Sequence, residues 1–344
     1  MVTGGTGFVG SHIVTAILAA GHEVRLLVRR PEQVGITFAP HGVVPTDLVV
    51  GDVRDADVVA RALEGCDAVV HAAAIFSLRP RNAPIVAETN TTATRVVLDA
   101  AVAAGADPVI HISSTIALIR RGGSGPDLPI GDLTGVYARS KIDSEVIARG
   151  HQVSGAPVVS IYPGGVYGPL DPYLSENNNR LAWVARGLFP IWTKGGLHMV
   201  DVRDVAGLVQ YCLEPGRGPR RYVVPGHQAT GRDTNAAVAA AIGRHRPHVD
   251  LGERLTLLMA KPLESLDPVT SKRWHFPAEV DGIQAIARDT RLDDTPARKE
   301  FGLEPRPFEE TIRDTLTWLV EAGHLPGRLR PRPVEGTLSR PGGR

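Results

Sequence analysis

The stretch at residues 2–30, VTGGTGFVGSHIVTAILAAGHEVRLLVRR, leaves this chain few folds to choose from. A short apolar strand runs into Gly4, Gly5, Gly7 and Gly10, residues 11–20 keep helical apolar spacing, and residues 23–28 read as a buried strand. Strand, glycine turn, helix and strand in that order suit a dinucleotide. Gly4 can take the tight turn, Gly7 lets backbone approach a pyrophosphate, and Gly10 lets helix pack close to strand. Phe8 and Val9 lie between them at the helix start, where free N–H groups favour an anion.

The second strand bears on which nucleotide. Units of this type that bind NAD usually carry Asp or Glu near its end for the ribose 2′-OH, whereas this strand ends Val28-Arg29-Arg30. A guanidinium forks onto phosphate oxygens, so the expectation is NADP, with NAD as the alternative. Arg30 is the one of the two more readily explained as a solvated strand-end charge.

Chemistry enters with Tyr137-Ala138-Arg139-Ser140-Lys141, which begins an expected helix reaching about residue 149. Residues four apart share a helical face, so phenol and ammonium project together. A cation beside the phenol favours phenolate and is expected to bring its proton within use nearer neutrality. Before it, the fifth expected strand, residues 108–112, delivers Ser113-Ser114-Thr115 to the carboxyl end of the sheet, and Ser114 can hydrogen-bond the oxygen that Tyr137 protonates. A Tyr-x-x-x-Lys spacing alone is mostly structural; after a dinucleotide turn and a serine-bearing strand it carries weight.

The remaining positions follow in chain order. Residues 31–45 read as loop. Residues 48–50 end in Gly51-Asp52-Val53, placed to meet an adenine ring with the Asp52 carboxylate on its amino group and Val53 on its face, although Asp52 or Asp55 could equally cap a helix. After the strand at residues 68–71, the small Ala72 and Ala73 leave room for a dinucleotide, and His71 reads as a core histidine. Residues 89–104 are expected to be helical, and residues 120–129 flexible. The sixth strand, residues 157–161, leads to Pro163, Gly164 and Val166, a rigid backbone for the nicotinamide carboxamide. Residues 170–198 depart from the strand-helix alternation and suit a pocket wall, residues 251–276 suit a lid over an apolar substrate, and residues 308–322 form an amphipathic helix.

Totals narrow the partners. The 344 residues carry a net charge of +1, which offers no basic field for nucleic acid or an acidic membrane surface. Cys66 and Cys212 form no metal or redox spacing. No apolar run approaches the ~20 residues of a membrane span, and the start resembles no signal or transit peptide, so the expectation is a soluble, cytoplasmic protein without metal. Only three residues precede the glycine turn where a strand of about five or six is usual, so the natural chain is expected to begin upstream of Met1.

Together these residues resemble the extended short-chain dehydrogenase/reductase family, also described as epimerase/dehydratase-like. The motifs are TGGTGFVG at residues 3–10, Gly51-Asp52-Val53, the run at residues 71–74, Ser114 with Tyr137 and Lys141, and PGGVYGP at residues 163–169. The resemblance covers about residues 1–325, and Arg29 looks like the arginine of the dihydroflavonol reductase and 3β-hydroxysteroid dehydrogenase-like branches. It implies an α/β, Rossmann-type, doubly wound parallel sheet with a smaller, mostly helical C-terminal substrate-binding part. In that reading residues 1–165 bind the dinucleotide, completed by about 200–226. Residues 166–199 and 227–325 hold substrate, and residues 326–344 form a disordered tail. It implies interconversion of a secondary alcohol and a ketone, or reduction of an aldehyde, with Tyr137 as proton donor, Ser114 stabilising developing charge and Lys141 holding the nicotinamide ribose. A homodimer through two helices is the family habit.

Two departures stand out. Asn90 falls at a family helix Asn whose usual Gly-Thr is replaced by Ala93-Thr94, and Asp201-Val202-Arg203-Asp204 replaces a His-Val-Asp-Asp run. Arg203 could therefore meet an anionic substrate or pair with a neighbouring Asp. The rival functions are a nucleotide-sugar epimerase or dehydratase with tightly held NAD, and an NADP-sensing binding protein without turnover. Arg29 counts against the first, as do Thr115 and Ile116 where dehydratases carry acidic residues; the intact Tyr137 and Lys141 count against the second.

Overall fold

The computed structural model describes residues 1–76, 82–121, 127–265 and 280–332. Its centre is a seven-stranded sheet in which every paired strand is parallel. In chain order its strands are β1 (Val2–Thr3), β2 (Arg25–Val28), β3 (Asp47–Val50), β4 (Val69–His71), β5 (Val109–Ile112), β6 (Val158–Tyr162) and, much later, β10 (Arg220–Val223). The spatial order β10-β6-β5-β4-β1-β2-β3 reverses direction between β1 and β4. Open sheets bind ligands outside the carboxyl ends of the strands at such a reversal.

Both faces of the sheet are covered, as the nearly continuous apolar strands require. Leu26 and Val28 pack on one side with Ile13, Val14 and Ile17 of α1 (Phe8–Ala19), while Leu27 between them packs on the other with Val58 and Ala62 of α3 (Ala56–Leu63). The second side also takes α4 (Ala83–Ala103) and α5 (Val136–Val153), closely packed on each other, and the first takes α7 (Val202–Tyr211) beside α1.

Beyond the main sheet, β7 (Gly165–Tyr167), β9 (Gly196–Asp201) and β11 (His227–Thr230) form a three-stranded sheet, and β8 (Ile191–Thr193) pairs with β12 (Val249–Leu251). A separate core holds α6 (Glu176–Arg186), α8 (Gly231–Ile242) and α12 (Phe308–Glu321) together through Leu181, Val238, Ile312 and Leu316. Between α8 and α12 the chain forms α9 (Glu253–Ser265), α10 (Val280–Ala287) and α11 (Thr295–Phe301).

The structure corrects two sequence expectations. Residues 31–45 contain the helix α2 (Glu32–Phe38) and a 3-10 turn; Val34 and Phe38, four apart, bury one stripe, which Gly35 and Pro40 obscured in the sequence. Residues 326–332, expected within the disordered tail, are packed: Leu329 is buried and the Arg332 amide donates to Ala241 O at 2.9 Å. The 170–198 segment contains α6, β8 and the start of β9. Of the expected lid, α9 is helical and residues 266–276 lie outside the described residues, as do 122–126 of the expected flexible stretch and 333–344 of the tail.

Burial of three histidines sets an acid limit on this fold. His12, His71 and His111 are nearly inaccessible, and burial lowers His12 to about 4, His71 to about 3 and His111 well below 6.5. Each is neutral when folded and charges on unfolding, so stability is complete above the unfolded value of 6.5 and falls as pH drops toward the folded values. Three such groups give a slope of up to about 4 kcal/mol per pH unit. Denaturant unfolding between neutrality and about pH 5 should show at least part of this slope, and His111→Leu should flatten it by up to about 1.4 kcal/mol per pH unit. An unchanged slope in that variant means His111 takes no part.

Candidate active site

The singled-out positions follow the carboxyl ends of successive parallel strands: Gly4 after β1, Arg29 after β2, Asp52 after β3, Ala72 after β4, Ser114 after β5 and Pro163 after β6. Elements up to 160 residues apart in sequence thus meet along one edge.

The glycine turn is fixed by close approach. Gly4 has φ +71°, and a Cβ there would lie 2.6 Å from the backbone of Ala72 and Ala73. A Cβ on Gly10 would overlap the Gly4 carbonyl oxygen. Gly7 donates its N–H to that oxygen at 2.9 Å and starts α1 with no side chain capping the helix end, so Phe8 and Val9 follow an uncapped N-terminus. That cradle fits the pyrophosphate of a dinucleotide.

Around it, Arg29 and Arg30 are exposed, and among the described residues neither guanidinium has an ion pair or hydrogen bond. Asp52 accepts from the Arg54 amide at 2.9 Å and from its guanidinium at 3.0 and 2.9 Å, which together hold its carboxyl down to about 2, with a smaller contribution from the Arg29 charge. Asp55, not Asp52, caps α3. Val53 is buried. Pro163 O accepts from the Thr115 amide at 2.9 Å, Gly164 packs against the His198 carbonyl, and Val166 O accepts from Asn177 Nδ2 at 3.3 Å. Tyr167 is buried.

Ser114, Tyr137 and Lys141 come together. The Ser114 side chain lies near enough to the Tyr137 phenol to act on its proton, and Lys141 Nζ donates at 3.2 Å to Ile112 O, two residues before Ser114. The Phe76 ring stands edge-on to Tyr137, 4.8 Å between centroids at 80°. Electrostatics differ here from the sequence expectation. Burial pushes the phenol well above its ordinary value, opposed by the Ser114 hydrogen bond and reinforced by the Glu176 carboxylate. Lys141 does not bring it toward neutrality; burial lowers the ammonium itself to about 8, and Glu145 pulls it back up. Taking the phenol out of water outweighs a cation that is itself desolvated.

Several residues went unnoticed in the sequence. Glu145 is fully buried and accepts from Ser113 Oγ at 2.9 Å, Tyr162 OH at 2.6 Å and Arg149 Nε at 2.8 Å. Its signal was present: Tyr137, Lys141, Glu145 and Arg149 recur every four residues on one face of α5. Asn90 bonds both backbone groups of Ile75 at 2.8 and 3.1 Å and donates to Ser140 Oγ at 3.0 Å, fastening the segment after β4 to α5. His71 sits below between Thr3 and Thr94, as a core histidine should. Arg203 is an ion-paired tie, 2.7 Å from Asp201 and 2.8 Å from Asp314, which settles its two readings in favour of structure.

Among the described residues no group of three His, Cys, Asp or Glu could hold a metal, both cysteines are free, and no helix is long and apolar enough to cross a membrane.

The family model for the NAD dependent epimerase/dehydratase family matches residues 1–224. A Synechocystis sp. protein provisionally named dihydroflavonol 4-reductase is 28% identical over 337 residues, 94% of this chain and 95% of that one. Sterol demethylase protein B of Methylococcus capsulatus is 28% identical over 333 residues, 94% and 99% of the two chains. The structure of Thermus thermophilus UDP-glucose 4-epimerase in complex with NAD aligns with a TM-score of 0.68 at 25% identity, covering 93% of this chain and 98% of that one.

Proposed function

Because this chain belongs to the NAD dependent epimerase/dehydratase family, we propose that it is an NADP(H)-dependent reductase interconverting a ketone, or an aldehyde, with its alcohol. It is an enzyme, an NAD(P)-dependent oxidoreductase of that family. The observation that carries the finer reading is the juxtaposition of Ser114 with the Tyr137 phenol on the edge that bears the Gly4–Gly10 cradle.

Gly4, Gly7, Phe8, Val9 and Gly10 would hold the pyrophosphate, Arg29 and Arg30 the 2′-phosphate, and Asp52 and Val53 the adenine. Ala72, Ala73, Pro163, Gly164 and Val166 would line the rest, with Tyr137 and Lys141 at the ribose. A bound nicotinamide would supply hydride to the carbonyl carbon or take it back. Tyr137 gives its proton to the carbonyl oxygen, and Ser114 donates a hydrogen bond to the same oxygen as it gains charge. A phenol held protonated by burial suits the reductive direction at neutral pH. Assay of NADPH absorbance against ketones, aldehydes, sterols and acyl-CoA thioesters tests the reading; inertness toward all four classes with NADPH and NADH would sink it.

The likeness to UDP-glucose 4-epimerase favours a second reading, internal redox of a nucleotide sugar with retained NAD. Protein that purifies with stoichiometric NAD and does not exchange it for NADPH would select that reading.

Glu145 is placed to keep Lys141 charged. Glu145→Gln retains an acceptor for Tyr162 and turns an amide donor toward the Ser113 hydroxyl, which can accept it, but removes the charge that raises the ammonium, so Lys141 should deprotonate at lower pH than about 8. The expected result is a basic limb of the kcat profile moved to lower pH, with activity lost several-fold above about pH 8 and little changed on the acidic side. A uniform loss at every pH would assign Glu145 to packing alone.

A further inference from the structure

Four arginines, Arg186, Arg244, Arg246 and Arg328, converge with Leu188 and Leu329 on a cavity of about 330 Å³. They come from three separate places: the end of α6, the end of α8, and the packed 326–332 segment. The cavity is remote from the phenol. The charge of Glu176 at the start of α6 reaches Tyr137, whereas Arg186 closes the same helix ten residues on, about 15 Å along its axis.

No acidic side chain among the described residues pairs with this charge. Among the described residues none of the four forms an ion pair; Arg186 donates to His324 O at 2.5 Å, Arg246 to His245 O at 3.4 Å, and Arg246 Nε is buried without a partner. A fifth guanidinium, that of Arg332, donates to Gly243 O at 3.4 Å beside the cavity. The ordinary explanation for arginines at helix C-termini is the dipole, and α6 and α8 do end here at the left-handed Gly187 and Gly243. Two helix ends supply only about one negative charge in total. Four guanidiniums exceed that by about three. The chain as a whole carries only +1, so this is segregation of charge rather than a general excess.

We propose that this cavity binds a small polyphosphorylated molecule, one with two or more adjacent phosphate groups. Planar guanidiniums fork onto phosphate oxygens, and adjacent phosphates bring enough charge to match several arginines, which a single monoanion does not. The volume lies at the small end of the ~300–1,000 Å³ of small-molecule sites, and Leu188 and Leu329 offer apolar surface to a modest organic body. A nucleic acid would call for an extended basic stripe instead of a single half-open pocket.

Calorimetric titration with inorganic triphosphate tests this on the full chain, and a variant that loses cavity arginines but keeps the glycine turn shows which of the two is measured. The wild type should bind and melt at higher temperature. An Arg244→Ser/Arg246→Ser variant should lose at least about tenfold in triphosphate affinity while keeping its NADPH affinity. Absence of binding, equal binding by the variant, or displacement of triphosphate by a short DNA duplex that binds more tightly would each overturn the assignment.

Discussion

Tyr137→Phe should lower kcat at least about 10²-fold while leaving NADPH affinity within about twofold, because general acid catalysis by a placed side chain is worth about 10²–10⁴. A hundredfold corresponds to about 2.7 kcal/mol of barrier. The substitution isolates the proton. The ring is buried and meets Phe76 edge-on at 4.8 Å, and phenylalanine fills the same space, so packing survives. Only the hydroxyl near Ser114 is lost. Ser114→Ala should cost less, since it removes one hydrogen bond to a developing charge and leaves the proton donor in place. Full activity in Tyr137→Phe would mean that the phenol only packs there, and the proton would have to come from elsewhere.

That prediction depends on features the sequence displayed unevenly. The cradle was legible because its constraint is steric and local: no residue with a Cβ fits at Gly4 or Gly10, so four glycines within seven residues at a strand-helix junction carry the fold with them. The parallel strands were legible because burial on both faces leaves nearly unbroken apolar runs such as Val158–Tyr162. Tertiary facts were not. The spacing of Tyr137 to Lys141 shows the cation and conceals the burial that raises the phenol. The pairing of Arg203 with the nearby Asp201 was within reach of the sequence, but its second partner, Asp314, is brought against it only by α12. Asn90 could not be given a role from its neighbours in sequence, since its partners are Ile75 and Ser140. Glu145 could have been read, since it continues the Tyr137–Lys141 spacing by one more turn.

Arg29→Asp should reverse the cofactor preference, and the size of the reversal follows from the contact proposed. A hydrogen bond to a charged group is worth about 1.5–3 kcal/mol. Loss of a forked contact to the 2′-phosphate, with a carboxylate put in its place, should change the NADPH/NADH ratio of kcat/KM on the order of a hundredfold. Part of the change comes from weaker NADPH, repelled by the new carboxylate, and part from stronger NADH, whose 2′-OH gains an acceptor. Arg29 is exposed and without an ion pair among the described residues, so its removal breaks no internal contact and the fold should be unaffected. Arg30→Asp is the control. Both arginines are exposed at the end of β2, but the Arg29 charge alone acts on Asp52, on the side where adenine is proposed to lie. A larger change from Arg30 would exchange the two roles. A ratio that neither substitution moves would remove the 2′-phosphate from this edge and favour NAD, as in the epimerase reading.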